Sequence, residues 1–425
     1  MQKPLDNHGN PAHSTGMIPA GTASRAAISE RELIVLMALL MSLQAFGIDA
    51  MLPALGVMGT DLGAVGNERQ FVIGAYFLGS GIGAFFPGAF ADRFGRRPVL
   101  AVGLVVYVTL SIACALVQDF HTLIALRLIQ GLGCAGLSVV PAAIVRDRVG
   151  GDRMARMMSL IMMIFLAVPL VAPAIGQVIL NLLGWRMIFG AMAVMGLVVG
   201  TWIWLRLPES LAPENRQDIE VPTILANMKT ALLNRAAIGY VVGSALVFGS
   251  LFGFLNSSQQ LIGEHFGAGQ NFAIIFGAAV LGMVAANFTN SRIVERFGAR
   301  RVSHAALIVF ILASAAQYLS SGPDQELWEF VPILAVSMAT MGFIGANFSS
   351  IAMQPFAHIA GAASSAQTSL RMVSGALLGS AIGQAYDGTA RPLATAMLAC
   401  GLIALVLILF SERGRLFRRI HPRTR

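Results

Sequence analysis

The chain has 425 residues, of which 56% are hydrophobic and only 12% are charged, and its formal net charge is +8. Since a soluble domain carries about 25% charged residues, this composition excludes a cytosolic globular enzyme, a disordered chain and a secreted disulfide scaffold. The apolar runs are long and continuous rather than alternating, which predicts membrane-spanning helices and not a barrel. The three cysteines lie inside these runs, where we expect them to pack as small apolar residues.

Twelve of the apolar runs are long enough to cross the hydrocarbon, which takes roughly 20 residues of helix. The polar stretch 1–31 precedes them and lacks the apolar core of a signal peptide, so we expect an N-terminal cytoplasmic tail. In chain order, the predicted spans are at about residues 33–56, 70–90, 99–117, 122–144, 157–180, 186–206, 236–257, 270–290, 302–320, 329–350, 366–386 and 392–411.

The longest internal polar stretch divides these spans into six and six. A charged motif after span 2 recurs after span 8, which also indicates two copies of one unit. We therefore expect an all-α membrane protein with 12 transmembrane helices in two pseudo-symmetric six-helix bundles. The bundles comprise residues 32–206 and 236–411, joined by a cytoplasmic linker, 207–235, and followed by a basic cytoplasmic tail, 412–425.

The basic residues set the predicted orientation. If both termini are cytoplasmic, 24 of the 29 lysines and arginines fall in cytoplasmic segments, as the positive-inside rule requires. Because the basic residues cluster in these segments, the positive net charge predicts contact with the bilayer surface and no contact with nucleic acid.

Span 1 contains the most informative residue, Asp49. Of the 21 acidic residues, Asp49 alone lies well inside a predicted span. A charge near the bilayer centre costs about 2.5–3.5 kcal/mol, so an acid in this position is a functional candidate. A carboxylate that alternates between an apolar environment and one beside a cation can bind and release a proton. The alternative is a structural hydrogen bond or ion pair.

Two arginines also lie within predicted spans. Arg127 in span 4 is expected at the depth of Asp49, and pairing would lower the cost of both charges. The alternative for Arg127 is a side chain that snorkels to the outer interface. Arg371 in span 11 could meet an anionic substrate or a carboxylate, but we favour snorkelling to the inner interface.

Two further motifs suggest regions that take part in a conformational change. A tight turn after span 2 can use a glycine with positive φ, and its charges can bind one another, backbone carbonyls or lipid phosphates. We interpret this motif and its copy after span 8 as a charge latch between the halves, the alternative being an ordinary positive-inside loop. In span 5, two prolines and a glycine predict either a hinge or a tight helix seam. The latch residues are Gly88, Asp92, Arg93, Gly95, Arg96, Arg97, Glu295, Arg296 and Arg300, and the span 5 residues are Pro169, Pro173 and Gly176.

These motifs resemble the signatures of the major facilitator superfamily. The stretch 88–97 departs from the usual G-x-L-x-D-R-x-G-R-[RK] only at Phe90. The sequence RLIQGLG from Arg127 resembles the span 4 signature, and APAIG from Ala172 resembles the antiporter signature of span 5. The sequence DAMLP, which begins at Asp49, resembles the span 1 pattern of the drug/proton antiporters with twelve spans. The stretch 355–365 is similar to the corresponding sequence of the bicyclomycin and chloramphenicol resistance (Bcr/CflA) subfamily.

The resemblance implies a proton-coupled antiporter that exports a lipophilic drug or small metabolite across the bacterial inner membrane by alternating access. It gives Arg127 a role in proton coupling beside Asp49, and it implies that spans 1, 2, 4, 5, 7, 8, 10 and 11 line the pathway. Lipid-facing packing is the alternative for each candidate in those spans. The cavity candidates are Gln44, Met51, Tyr76, Gln130, Met163, Gln177, Asn256, Asn287, Asn347 and Gln367.

Two other functions stay open. A proton-coupled importer of a small nutrient would have the same fold, and a membrane-embedded enzyme or receptor would need polar clusters that the sequence does not contain. The sequence has no P-loop, zinc or hydrolase motif, so we expect no enzymatic activity, no cofactor and no metal. The expected partners are a small-molecule substrate, protons and the lipid bilayer, with the protein acting as a monomer.

Overall fold

A computed structural model of the chain describes residues 28–149, 151–216 and 221–417, and these form helices and loops without any strand. Within these ranges twelve helical segments correspond to the twelve predicted spans. In chain order, spans 1 to 12 are Glu30–Asp61, Phe71–Gly83 with Pro87–Phe94, Arg96–Leu116, Phe120–Arg148, Gly151–Leu183, Arg186–Arg206, Arg235–His265, Phe272–Phe297, Ala299–Ser320, Leu327–Met353, Ala360–Gln384 and Arg391–Ser411.

Length and apolar content alone identify ten of the described helices as membrane spans, or eleven if the bent pair in span 2 counts as one. That pair bends by 49° just before Pro87. The remaining helix is span 11, Ala360–Gln384, which is rich in glycine, alanine and serine. Span 11 packs between spans 2 and 7, so its small side chains allow close helix contacts.

The helix packing repeats between the two parts of the chain. Span 2 packs on span 4 as span 8 packs on span 10, and span 3 packs on span 6 as span 9 packs on span 12. Each short turn that precedes spans 3 and 9 uses a glycine with positive φ, 102° at Gly95 and 87° at Gly298. This repetition is what two copies of a six-helix unit produce.

Several helices extend beyond the predicted ends. Span 1 continues through the sequence VMGTD to Asp61 rather than ending at 56, and span 11 begins with AGAASS from Ala360 rather than at 366. Turns of mixed or small residues therefore continue each helix beyond its apolar run. The predicted polar linker contains a helix, Val221–Leu233, that packs on span 11. The predicted tails fall outside the described residues over 1–27 and 418–425.

The two halves, spans 1–6 and spans 7–12, meet mainly along spans 2 and 11 and along spans 5 and 8. We call the side of the bundle that holds Glu30 and Ser411 the terminal side and the opposite side the far side. Polar contacts join the halves at the far side. A central cavity between the halves extends toward the terminal side, where Ser364 near the start of span 11 forms part of its wall.

We predict that single cysteines at Ser364 and Val65 react from opposite sides of the membrane. Ser364 is exposed at the terminal-side end of the cavity, and Val65 is 74% exposed in the far-side loop after span 1. A membrane-impermeant maleimide applied to sealed vesicles of both orientations measures this. The native cysteines are buried and give a low background. Labelling of both positions from one side would contradict the topology.

Candidate functional site

The central cavity encloses about 490 Å³ between the two halves. Its wall is mostly apolar and contains four methionines and four phenylalanines, so flexible thioethers and aromatic rings surround most of the space. Polar groups interrupt this wall at seven positions among the residues that the structure describes. These are Gln44, Asp49, Ser138, Ser364, Ser365, Thr368 and Arg371.

Asp49 lies at a break in span 1, and the sequence explains the break. Pro53 has no N–H, so the Asp49 carbonyl lacks the donor that the residue four positions later would supply. The first helix therefore ends at Asp49, and a 3-10 turn, Leu52–Ala54, precedes the next helical segment. The side chain is only 5% exposed, and no described residue forms an ion pair with it. An ionised carboxylate is costly in such an apolar wall unless it meets a cation or gains a proton.

Span 5 packs against this break through Gly176. A Cβ added at Gly176 would lie 1.9 Å from the Ala50 carbonyl oxygen, so only glycine permits the contact. The helix Gly151–Leu183 runs without interruption through Pro169 and Pro173, and Pro169 lines the cavity. The geometry at Gly176 is that of a tight seam beside Asp49, while a hinge in span 5 stays a prediction.

The expected ion pair between Arg127 and Asp49 is wrong for this structure. Arg127 is fully buried and donates instead to the Gln130 side-chain oxygen at 2.7 Å and to the Gly47 carbonyl at 2.9 Å. Its guanidinium also lies 4.2 Å from the centre of the Tyr76 ring. Snorkelling is excluded by the same burial. The predicted depth is correct, since Gly47 is two residues from Asp49, but carbonyl and amide oxygens satisfy the guanidinium.

Arg371 lines the cavity, which corrects the favoured interpretation of a side chain directed to the interface. Because span 11 begins at Ala360, Arg371 lies about three turns, or roughly 16 Å, along the helix rather than one and a half turns. Its guanidinium lies 4.8 Å from the centre of the Phe248 ring. No described carboxylate forms an ion pair with it.

Of the ten predicted cavity residues, only Gln44 lies in the cavity wall, and it donates to the Cys134 carbonyl at 2.9 Å. Gln177 and Asn287 bond to groups on their own helices, and Met163 is 63% exposed outside the wall. Six others are buried between helices instead of facing the cavity, namely Met51, Tyr76, Gln130, Asn256, Asn347 and Gln367.

Span 11 carries a polar stripe that was not predicted from the sequence. Ser364, Thr368 and Arg371 follow one another at spacings of four and three residues, so they share one helix face, and all three line the cavity. That spacing was the signal that could have identified them.

The motif after span 2 forms a charge network within the first half. Arg96 donates to Asp92 at 2.6 Å and to Asp147 at 2.9 Å, and Glu209 accepts the backbone N–H of Arg96 and of Arg97. Burial alone would raise the pKa of Glu209, but four backbone N–H donors outweigh it and lower that pKa. The network joins spans 2, 3 and 4 to the linker on the terminal side. A latch between the halves stays a prediction for another conformation.

The copy of this motif after span 8 forms a separate contact within the second half. Arg300, at the start of span 9, bonds to Glu412 just after span 12 at 2.7 Å. Arg300 also donates to the Gln354 side chain, which follows span 10. Both copies of the motif therefore hold helix ends together on the terminal side.

Polar side chains close the far side between the halves. Asn67 donates to the Gln384 and Tyr386 carbonyls at 3.1 and 3.0 Å, and Gln260 donates to Asn67 and contacts Gln70. Arg69 forms an ion pair with Glu264 at 2.7 Å, with side-chain exposures of 16% and 46%. We call these residues, Asn67, Arg69, Gln70, Gln260, Glu264, Gln384 and Tyr386, the far-side gate.

Comparisons with known proteins identify a family. A sequence model described as "Major Facilitator Superfamily" matches residues 37–380. A bicyclomycin resistance protein homolog of Haemophilus influenzae is 28% identical over 378 residues, covering 89% of this chain and 95% of that protein. The multidrug resistance protein MdtL of Escherichia coli is 28% identical over 373 residues, covering 87% and 93%. The crystal structure of the human organic anion transporter MFSD10 has the same fold, with a TM-score of 0.66 at 17% identity over 90% of this chain and 99% of that one.

We predict that Gly176→Ala destabilises the protein by about 1–3 kcal/mol, the usual cost of overpacking, because the added methyl group would push span 5 away from Ala50. Gly190→Ala is the matched control, since its new Cβ would meet only the flexible Met187 side chain at 3.4 Å. Thermal unfolding of the purified variants measures the difference. Equal melting temperatures for the two variants would refute a tight seam at Gly176.

We also predict that Arg69→Gln or Glu264→Gln opens the far-side gate more often. A partly exposed ion pair contributes about 0.2–1 kcal/mol, so a cysteine at the cavity residue Leu255 should be labelled from the far side roughly 1.5- to 5-fold faster. The charge swap Arg69→Glu with Glu264→Arg should restore the slow rate.

Arg186→Gln is the control for this experiment, because it breaks the far-side pair with Asp61 inside one half. The role of the gate pair is refuted if the control raises the labelling rate as much as Arg69→Gln does.

Proposed function

The chain belongs to the Major Facilitator Superfamily, and from this membership we propose that it is a proton-coupled antiporter that exports a lipophilic drug or small metabolite. We place it in the bacterial inner membrane, with the terminal side facing the cytoplasm. The distribution of 24 of the 29 basic residues supports that orientation, and the bacterial relatives support that membrane.

The observation that carries the proposal is Asp49 in the wall of a cavity between the two halves. In the proposed cycle, Asp49 takes up a proton when the cavity is open to the periplasm. After the cavity opens to the cytoplasm, an incoming substrate displaces the proton, because the substrate and the proton compete to stabilise or neutralise the Asp49 carboxylate. Exchange requires that the protein returns to the outward-open state more readily with substrate bound than with Asp49 ionised and no substrate bound.

The position of Arg127 supports this role for Asp49. A permanent ion pair with Arg127 would hold the carboxylate ionised and prevent proton uptake. The Gly47 carbonyl and the Gln130 side chain occupy the guanidinium instead, so Asp49 remains available to a proton or a substrate. Arg127 therefore has a positioning role in the proposal, since it fixes span 1 two residues before Asp49.

The cavity wall supports a lipophilic substrate. Its methionines and phenylalanines can adapt to ligands of different shapes. Two relatives are named for bicyclomycin resistance and multidrug resistance, which supports drug export as the direction and class of transport.

The test is drug accumulation in efflux-deficient cells, with chloramphenicol and a lipophilic cation as probes and with or without a proton uncoupler. We predict that the wild-type protein lowers accumulation and that the uncoupler abolishes this effect. Asp49→Asn should return accumulation to the level of cells lacking the protein, because asparagine neither binds nor releases a proton. Asp324→Asn is the control, since Asp324 is exposed in the loop between spans 9 and 10.

Lower accumulation that persists in Asp49→Asn cells would contradict Asp49 as the coupling residue. Higher accumulation in wild-type cells that an uncoupler abolishes would instead identify a proton-coupled importer.

A further inference from the structure

Arg371 and Asp49 place two opposite charges in the wall of one cavity. They are the charged members of that wall among the described residues, Asp49 in span 1 of the first half and Arg371 in span 11 of the second. They do not form an ion pair with each other. Apolar side chains such as Phe77, Phe252 and Met372 form much of the wall around them.

The Arg371 guanidinium has no anionic partner among the described residues. It lies 4.8 Å from the centre of the Phe248 ring, a contact that attracts the cation without occupying its N–H donors in conventional hydrogen bonds. No described residue accepts a hydrogen bond from it. A planar guanidinium in an apolar cavity is suited to a carboxylate, sulfonate or phosphate, which can accept two parallel hydrogen bonds.

The hydroxyls of Ser364 and Thr368 extend this polar surface from the terminal side. They share one face of span 11 with Arg371, so an oxyanion moving along the cavity passes from hydroxyl donors to the guanidinium.

We propose that the cavity selects a zwitterionic amphiphile, whose oxyanion binds Arg371 and whose protonated amine binds Asp49, with an apolar or aromatic body between them. This rests on the proposed function, in which the substrate replaces the proton on Asp49. An exclusively anionic ligand would be repelled by ionised Asp49 and would bind best together with a proton, which gives cotransport rather than exchange. An exclusively cationic ligand would supply no anion to Arg371 and would be repelled by its positive charge. A zwitterion satisfies both charges at once.

The experiment measures the affinity of purified protein for three matched probes. These are a fluoroquinolone with a free carboxylate and a basic piperazine, its methyl ester and its N-acetyl derivative. We expect the zwitterion to bind about 10- to 100-fold more tightly than the ester, because one charge-assisted hydrogen bond changes affinity by about this factor. Arg371→Gln should abolish the preference for the zwitterion over the ester, because it removes both the partner of the carboxylate and the cation that repels the ester. Arg371→Lys, which keeps the charge but not the fork, should be intermediate.

Arg292→Gln is the matched control, because Arg292 also contacts a phenylalanine ring, Phe288 at 4.4 Å, but is exposed outside the cavity wall. It should retain the wild-type preference. Equal loss of affinity for all three probes in Arg371→Gln would indicate a structural role and overturn the proposal. So would a wild-type protein that binds none of the probes or does not prefer the zwitterion.

Transport separates this inference from the proposed function. If binding shows the zwitterion preference but no proton-driven export occurs, the proposed function fails and the site assignment stands. If export depends on protons and Asp49 but Arg371→Gln does not change the substrate preference, the assignment fails and the proposed function stands.

Discussion

The rest of this structure depends on one constraint, a carboxylate buried in an apolar wall where no described residue supplies a cation partner. Asp49 ends a helix because Pro53 cannot donate to its carbonyl, and Gly176 lets span 5 pack directly against the break. Arg127, which could have neutralised the carboxylate, is occupied by Gly47 and Gln130. The site therefore holds an acid whose charge is costly until a proton or a ligand compensates it, and this is a suitable starting point for coupled exchange.

The two sides of the bundle are held by contacts of different kinds. At the far side, amide hydrogen bonds and one partly exposed ion pair join the halves, and such pairs contribute only about 0.2–1 kcal/mol. At the terminal side, the network around Arg96 and the pair of Arg300 with Glu412 each lie within one half. Each half is thus internally fixed at its terminal end, while weak contacts close the far end. That arrangement suits rigid halves that rock about a central cavity.

Much of the fold could be predicted from the sequence, but only part of the site. Long apolar runs and a duplicated motif are direct signals of spans and of repetition, and Asp49 was found because an intramembrane acid is rare and costly. The helix faces that line the cavity could not be predicted, since these helices are apolar on most sides. The periodicity of apolar residues therefore does not distinguish a face that lines a cavity from one that packs on another helix. Met162 lines the cavity and the adjacent Met163 does not. An error of six residues in the start of span 11 was enough to assign Arg371 to the interface.

We propose that substrate and proton exchange at Asp49. The most direct test of this proposal is proton release from purified protein in weakly buffered solution, with a pH indicator that records each addition of ligand. We predict that a bound ligand releases about one proton per protein over the pH range in which Asp49 is protonated, and that Asp49→Asn still binds ligand but releases none. Ligand binding to the wild type without proton release, or equal release from Asp49→Asn, would contradict it.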